Sequence, residues 1–129
     1  MNLYHIATRA AWSAAAELGT YEPPSLESEG FVHCSMAAQV LPVAERFYSG
    51  QAGLMLLVIN PDRVTSTLKW EQVLDDPASV QGEPDSPYPH IYGPINLDAV
   101  VDVLDFEPRS DGTFPARDIV AREAGTKPK

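Results

Sequence analysis

The chain has 129 residues and a net charge of −9 at pH 7. Before Glu107 only Arg9, Arg46, Arg63 and Lys69 stand against fourteen carboxylates, whereas the remainder is close to neutral. So acidic a body repels phosphate backbones and anionic lipid, which argues against nucleic acid and membrane as partners. A small anionic ligand stays open, because one arginine and a helix N-terminus are enough to hold a phosphate. The length suits one domain, and no apolar run reaches the roughly 18 residues of a membrane span. The N-terminus lacks the basic region, apolar run and cleavage site of a signal peptide, so it reads as mature sequence. Cys34 has no second cysteine to pair with, which fits a reduced, cytoplasmic setting.

In chain order, "NLYHIAT" alternates apolar and polar residues, so Asn2 to Ala7 is expected as a strand. Thr8 is a good N-cap for "RAAWSAAAEL", a helix with an apolar stripe through Ala11, Trp12, Ala15 and Leu18 and with Gly19 as its stop. "TYEPPS" reads as a turn and "FVHCS" as a short buried strand. Ser35 is then expected to cap a second helix, "MAAQVLPVAERFYSG". That helix should kink or restart at Pro42, bury Val40, Val43, Ala44 and Phe47, and end at Gly50 or Gly53.

"GLMLLVIN" is almost wholly apolar, as in a central strand covered on both faces. "STLKWEQV" alternates, placing Leu68 and Trp70 on one side of a further strand. Leu74 to Pro89 has no period and many turn formers, and reads as a long surface loop. "HIYGPI" and "AVVDVLDF" are strands joined by a turn at "NLD". Helices early and strands late give an α+β class: one domain over residues 1–106, then a polar, flexible tail over 107–129.

The three histidines are the main functional clue, because each lies beside strand-like apolar residues. His5 also suits a structural role on a half-exposed strand face. His33 sits between Val32 and Cys34, where a partly enclosed ring needs partners for both nitrogens. His90 stands where loop meets sheet, a position that often lines a site. The intervals between them match no local zinc motif, and no metal ligand set is assigned. Cys34 faces away from His33 along a strand and reads as a buried thiol. Thr8 and Ser35 double as helix caps, and Arg9 lies in the first turn of a helix. Glu71, if enclosed, would have a raised pKa suited to acid–base work. Tyr4, Tyr88 and Tyr92 offer faces on which a ligand base would stack.

The motifs "YHIATRAAW", "GTYEPPSLESEGFVHCS", "ERFY", "LLVIN", "KWE" and "PHIYGPINLDAVVDV" resemble the bacterial family called domain of unknown function 952, from about Leu3 to Phe106. The opening pattern also resembles, more distantly, ADP-ribosyltransferase-type domains. That second resemblance implies a split, strongly bent β-sheet clamping NAD in a central cleft. It implies that His5 binds the ribose or nicotinamide end, that Thr8 or Arg9 supports it and that His33 is the second-strand site residue. The expected cleft has Thr8, Arg9, Ser35 and Tyr92 as further ligand-binding residues and His33, His90 and Glu71 as catalytic ones. No ExE or QxE pair is present, so Glu71 or His90 would have to act on the ribose. The expected function is a cleft for an NAD-like nucleotide, with possible ADP-ribosyl transfer or N-glycosidic cleavage. The alternative is a non-catalytic module that binds a small ligand or, through its acidic face and the 74–89 loop, a basic protein.

Overall fold

The computed structural model describes residues 1–72, 87–111, 113 and 114. Its first element is strand β1 (Leu3–Thr8), followed by helix α1 (Arg9–Leu18), strand β2 (Thr20–Tyr21), helix α2 (Pro24–Glu29) and strand β3 (Val32–His33). Helix α3 (Ala37–Phe47) leads into β4 (Leu54–Ile59), and then come β5 (Thr67–Glu71), β6 (Tyr88–Tyr92), β7 (Ile95–Asn96) and β8 (Val100–Asp105). Short 3-10 turns span Pro61–Arg63 and Leu97–Ala99. All strand pairs are antiparallel, and the domain is α+β. No helix among the described residues is long and apolar enough to cross a membrane.

The strands form three sheets, in the orders β1-β4-β8, β2-β7 and β3-β6-β5. The first is built on β4, which is buried along nearly its whole length, as its apolar run requires. One face of this sheet carries Leu3, Ala7, Leu57 and Ile59 against Ala15, Tyr21, Val32 and Ile91. The other carries Tyr4, Ile6, Leu56 and Val58 against Val40 and Ala44 of α3. Phe114 joins that second core, its ring stacked on Phe106 at 4.9 Å, so the packed body continues past residue 106. Residues 115–129 of the expected tail lie outside the described residues, as do 74–86 of the expected 74–89 loop, whose last two residues, Tyr88 and Pro89, belong instead to β6.

Local chemistry explains the helix ends. The Ala11 amide donates to Thr8 Oγ1 (3.1 Å), and Gly19 closes α1 in the left-handed region (φ 85°). Gly93 (φ 149°) turns the chain between β6 and β7, where a Cβ would lie 2.5 Å from Ser66 Oγ. Four expectations are corrected here. "TYEPPS" is not simply a turn: Thr20 and Tyr21 pair with Asn96 and Ile95, and Pro24 opens α2, where a missing amide proton costs nothing. Ser35 does not cap α3. Met36 takes that position, its amide donating to Gln39 Oε1 (2.8 Å), because Ser35 is engaged in a β-bridge. Helix α3 runs through Pro42 and ends at Tyr48 rather than at a glycine. Leu18 and Phe47, expected inside, are the last residues of their helices and are 63% and 61% exposed.

Leu57 is wholly buried on the central strand. Leu57→Ala is therefore expected to cost about 2–5 kcal/mol, the range for a cavity left in a core, read as a lower midpoint in urea unfolding.

Candidate functional site

Besides their packed faces, the two three-stranded sheets are joined by backbone pairing at one bridge. The Tyr4 amide donates to the Ser35 carbonyl (2.8 Å) and the Ser35 amide to the Tyr4 carbonyl (2.7 Å). Beside this junction lies a cavity of about 580 Å³. All three histidines line it, together with Thr8, Tyr21 and Ser35, and Val43, Phe47 and Pro23 give it an apolar wall. Cys34 also reaches the wall, but burial pushes its thiol far above the ordinary range, so it stays protonated.

His5 is 7% exposed, and both of its ring nitrogens are taken. Nδ1 lies 2.5 Å from the His33 carbonyl, and Nε2 lies 2.7 Å from the Tyr21 hydroxyl. A carbonyl only accepts, so Nδ1 carries the proton and Nε2 accepts from Tyr21. Burial pushes the His5 pKa down to about 4, which keeps the ring neutral, and burial also raises the Tyr21 hydroxyl well above its usual value. His5 thus ties β1 to β3 and β2.

His33 and His90 face each other across the β3–β6 ladder. Their rings are 5.4 Å apart, edge to face. The same sheet face carries Phe31, stacked on His90 at 4.3 Å, and Tyr92, 5.1 Å from Phe31. Continuing the register puts Ser35 and Tyr88 on this face as well. Each imidazole has its own carboxylate. His33 Nε2 bonds Glu29 Oε2 (3.1 Å), and His90 Nδ1 bonds Glu71 Oε1 (2.8 Å). The environments differ, because the His33 side chain is half exposed and that of His90 only 5%.

The Tyr92 hydroxyl also donates to Glu71 Oε1 (2.6 Å), and Lys69 Nζ lies 4.8 Å above the Tyr92 ring. The Tyr92 hydroxyl and then His90 hold the Glu71 carboxyl below its ordinary pKa, the reverse of the rise an enclosed acid would show. The same bond raises Tyr92. Glu71 is thus an anion fixed behind His90. His90 Nε2 and the Ser35 hydroxyl have no hydrogen-bond partner among the described residues, and both residues are more than nine-tenths buried at the cavity wall.

Of the expected site residues, His5, Thr8, His33, Ser35 and His90 converge on the cavity. Glu71 and Tyr92 stand behind His90 rather than in the wall. Arg9 is directed elsewhere: it bonds Asp105 (2.6 Å) and Glu107 (3.1 Å) on the surface. Sequence reasoning missed Tyr21 and Glu29. Tyr21 was hidden inside a stretch that reads as a turn. Glu29 carried a signal, four residues before His33.

A family model described as "Protein of unknown function (DUF952)" matches residues 6–103, and the chain belongs to that family. The crystal structure of protein CC0527 from Caulobacter crescentus is similar, with a TM-score of 0.78 and 29% identity, covering 94% of this chain and 99% of that one. The solution NMR structure of CC0527 gives a TM-score of 0.72 at 29% identity, covering 91% and 94%. No curated protein sequence matches the chain.

The unfolded chain protonates His5 near pH 6.5, the folded protein only near pH 4. The stability that neutral His5 supplies is complete above about pH 6.5 and is lost as pH falls toward 4. Urea unfolding is expected to show a loss of about 2 kcal/mol between pH 7.5 and 5. His5→Gln should be less stable at pH 7.5 and should flatten this slope.

Proposed function

We propose that the cavity is a small-ligand site for the uncharged base-and-sugar end of a nucleotide-like molecule, with NAD the first candidate, and that His90 exchanges a proton with it. The observation that carries this reading is the buried His90 ring at the cavity wall, held through Nδ1 by the partly exposed Glu71 behind it, with Nε2 unpartnered among the described residues. The carboxylate accepts from Nδ1–H and fixes the tautomer, which leaves a lone pair on Nε2 to take a proton or accept a hydrogen bond. Imidazole with a carboxylate behind it is a common acid–base device, and ADP-ribosyl transfer or N-glycosidic cleavage is the chemistry it would serve here.

The described wall residues include no lysine or arginine, and Arg9 is engaged by two carboxylates. A pyrophosphate would therefore remain outside the cavity, where water solvates it. Backbone pairing of the two larger sheets at one bridge supports a split-sheet, ADP-ribosyltransferase-like arrangement.

A second reading is binding without turnover. Glu71 is committed to His90 and Tyr92, and Glu29 to His33, so neither carboxylate is poised to oppose positive charge developing on a sugar. Titration separates the readings. With NAD or nicotinamide added near pH 7, the His33 and His90 ring signals should move and saturate together. His90→Ala should weaken binding about tenfold, the equivalent of one good hydrogen bond. Unchanged affinity in that variant would rule out the site, and saturation without released nicotinamide would select the non-catalytic reading.

A further inference from the structure

His33 and His90 are alike in one respect beyond facing each other. On each imidazole one nitrogen is bonded to a carboxylate and the other is unpartnered among the described residues. The free atoms are Nδ1 of His33 and Nε2 of His90. Since the carboxylates accept the ring protons, each neutral ring turns a lone pair outward. This is the arrangement in which protein imidazoles bind metal: the second nitrogen donates to a carboxylate, which sets the tautomer and raises ligand basicity.

The spacing agrees. Two imidazoles sharing one tetrahedral zinc, at Zn–N distances of about 2.0–2.1 Å, have ring centroids about 5 Å apart. Here the centroids are 5.4 Å apart. The rings project from directly opposed residues of an antiparallel pair, so the ladder itself fixes their separation. His90 is held by Glu71, and by Phe31 stacked on its face. His33, half exposed, is held through Nε2 by Glu29, which leaves its Nδ1 available to a shared ion. His5 cannot join, because both its nitrogens are occupied. Among the described residues no third ligating side chain gathers with this pair, so its remaining coordination positions would be open to water or ligand.

We infer that His33 and His90 form a two-histidine site for a borderline divalent cation such as zinc, at the wall of the cavity. Glu29 and Glu71 are positioning residues in it. The inference does not depend on which organic ligand the cavity takes. It predicts competition, because His90 Nε2 cannot hold a metal and a proton at once.

The test uses zinc alone on the untagged full chain. Calorimetric titration should give one saturable site of micromolar affinity. Histidine ring-nitrogen NMR should move Nδ1 of His33 and Nε2 of His90 and leave both nitrogens of His5 in place. His33→Ala, at a half-exposed position that does not endanger the fold, should weaken binding at least tenfold, and Glu71→Gln by about tenfold. Saturable binding unaffected by His33→Ala, a shift confined to other residues, or no saturable binding would each overturn the inference. None of these results bears on NAD binding, which is measured without metal.

Discussion

The cavity exists because β3 is held against β1 at one point. Two backbone hydrogen bonds between Tyr4 and Ser35 make that junction, and the His5 imidazole bonds the His33 carbonyl next to it. The bonds are short and buried, which is why so small an attachment suffices: buried backbone groups left unpaired would cost more than the strand ordering they require. With the junction fixed, the histidine face of the β3–β6–β5 sheet and His5, Ile6 and Thr8 of β1 line the same cavity. Tyr21 extends the same attachment to β2, so one ring ties three strands together.

Two buried imidazoles are stabilised in different ways. His5 has no carboxylate among its bonded partners and stays neutral, as desolvation dictates. His90 has an ionised carboxylate behind it, itself anchored by the Tyr92 hydroxyl. The first arrangement suits a structural tie, since it removes both nitrogens from reach. The second leaves one nitrogen facing the cavity. Burying a polar atom that has no partner among the described residues has a cost, which an ordered water or a bound molecule would offset.

Arg9 is kept away from the cavity. Arg9, the cation nearest the N-terminus of α1, is held by Asp105 and Glu107, and Glu107 also accepts from the Gly53 amide. This cluster joins the start of α1, the start of β4 and the end of β8 on the outside of the sheet. A positive charge at a helix N-terminus is unfavourable by itself, and the two carboxylates offset it. The cavity is thereby left lined by apolar, aromatic, imidazole and hydroxyl groups, with Glu29 the carboxylate among its described lining residues.

Much was legible in the residues alone. Strand β1 with the capped helix after it, the fully buried β4, the α+β class and the family follow from periodicity, capping chemistry and motif order, which are local and survive without knowing the fold. Burial of Cys34 opposite His33 follows from strand alternation. What tertiary structure decided was everything set by contact between distant segments: that Ser35 bridges Tyr4 instead of capping α3, that Tyr21 pairs with Ile95 and bonds His5, that Glu71 stands behind His90, and that Arg9 faces carboxylates near residue 106. The physical reason is range. Helix caps and strand alternation are determined within a few residues, whereas the state of a histidine depends on which atom lies within 3 Å of each ring nitrogen. For His33 one such atom comes from Glu29, four residues earlier, but for His5 and His90 they come from up to 28 residues away, and only the packing of distant strands delivers them.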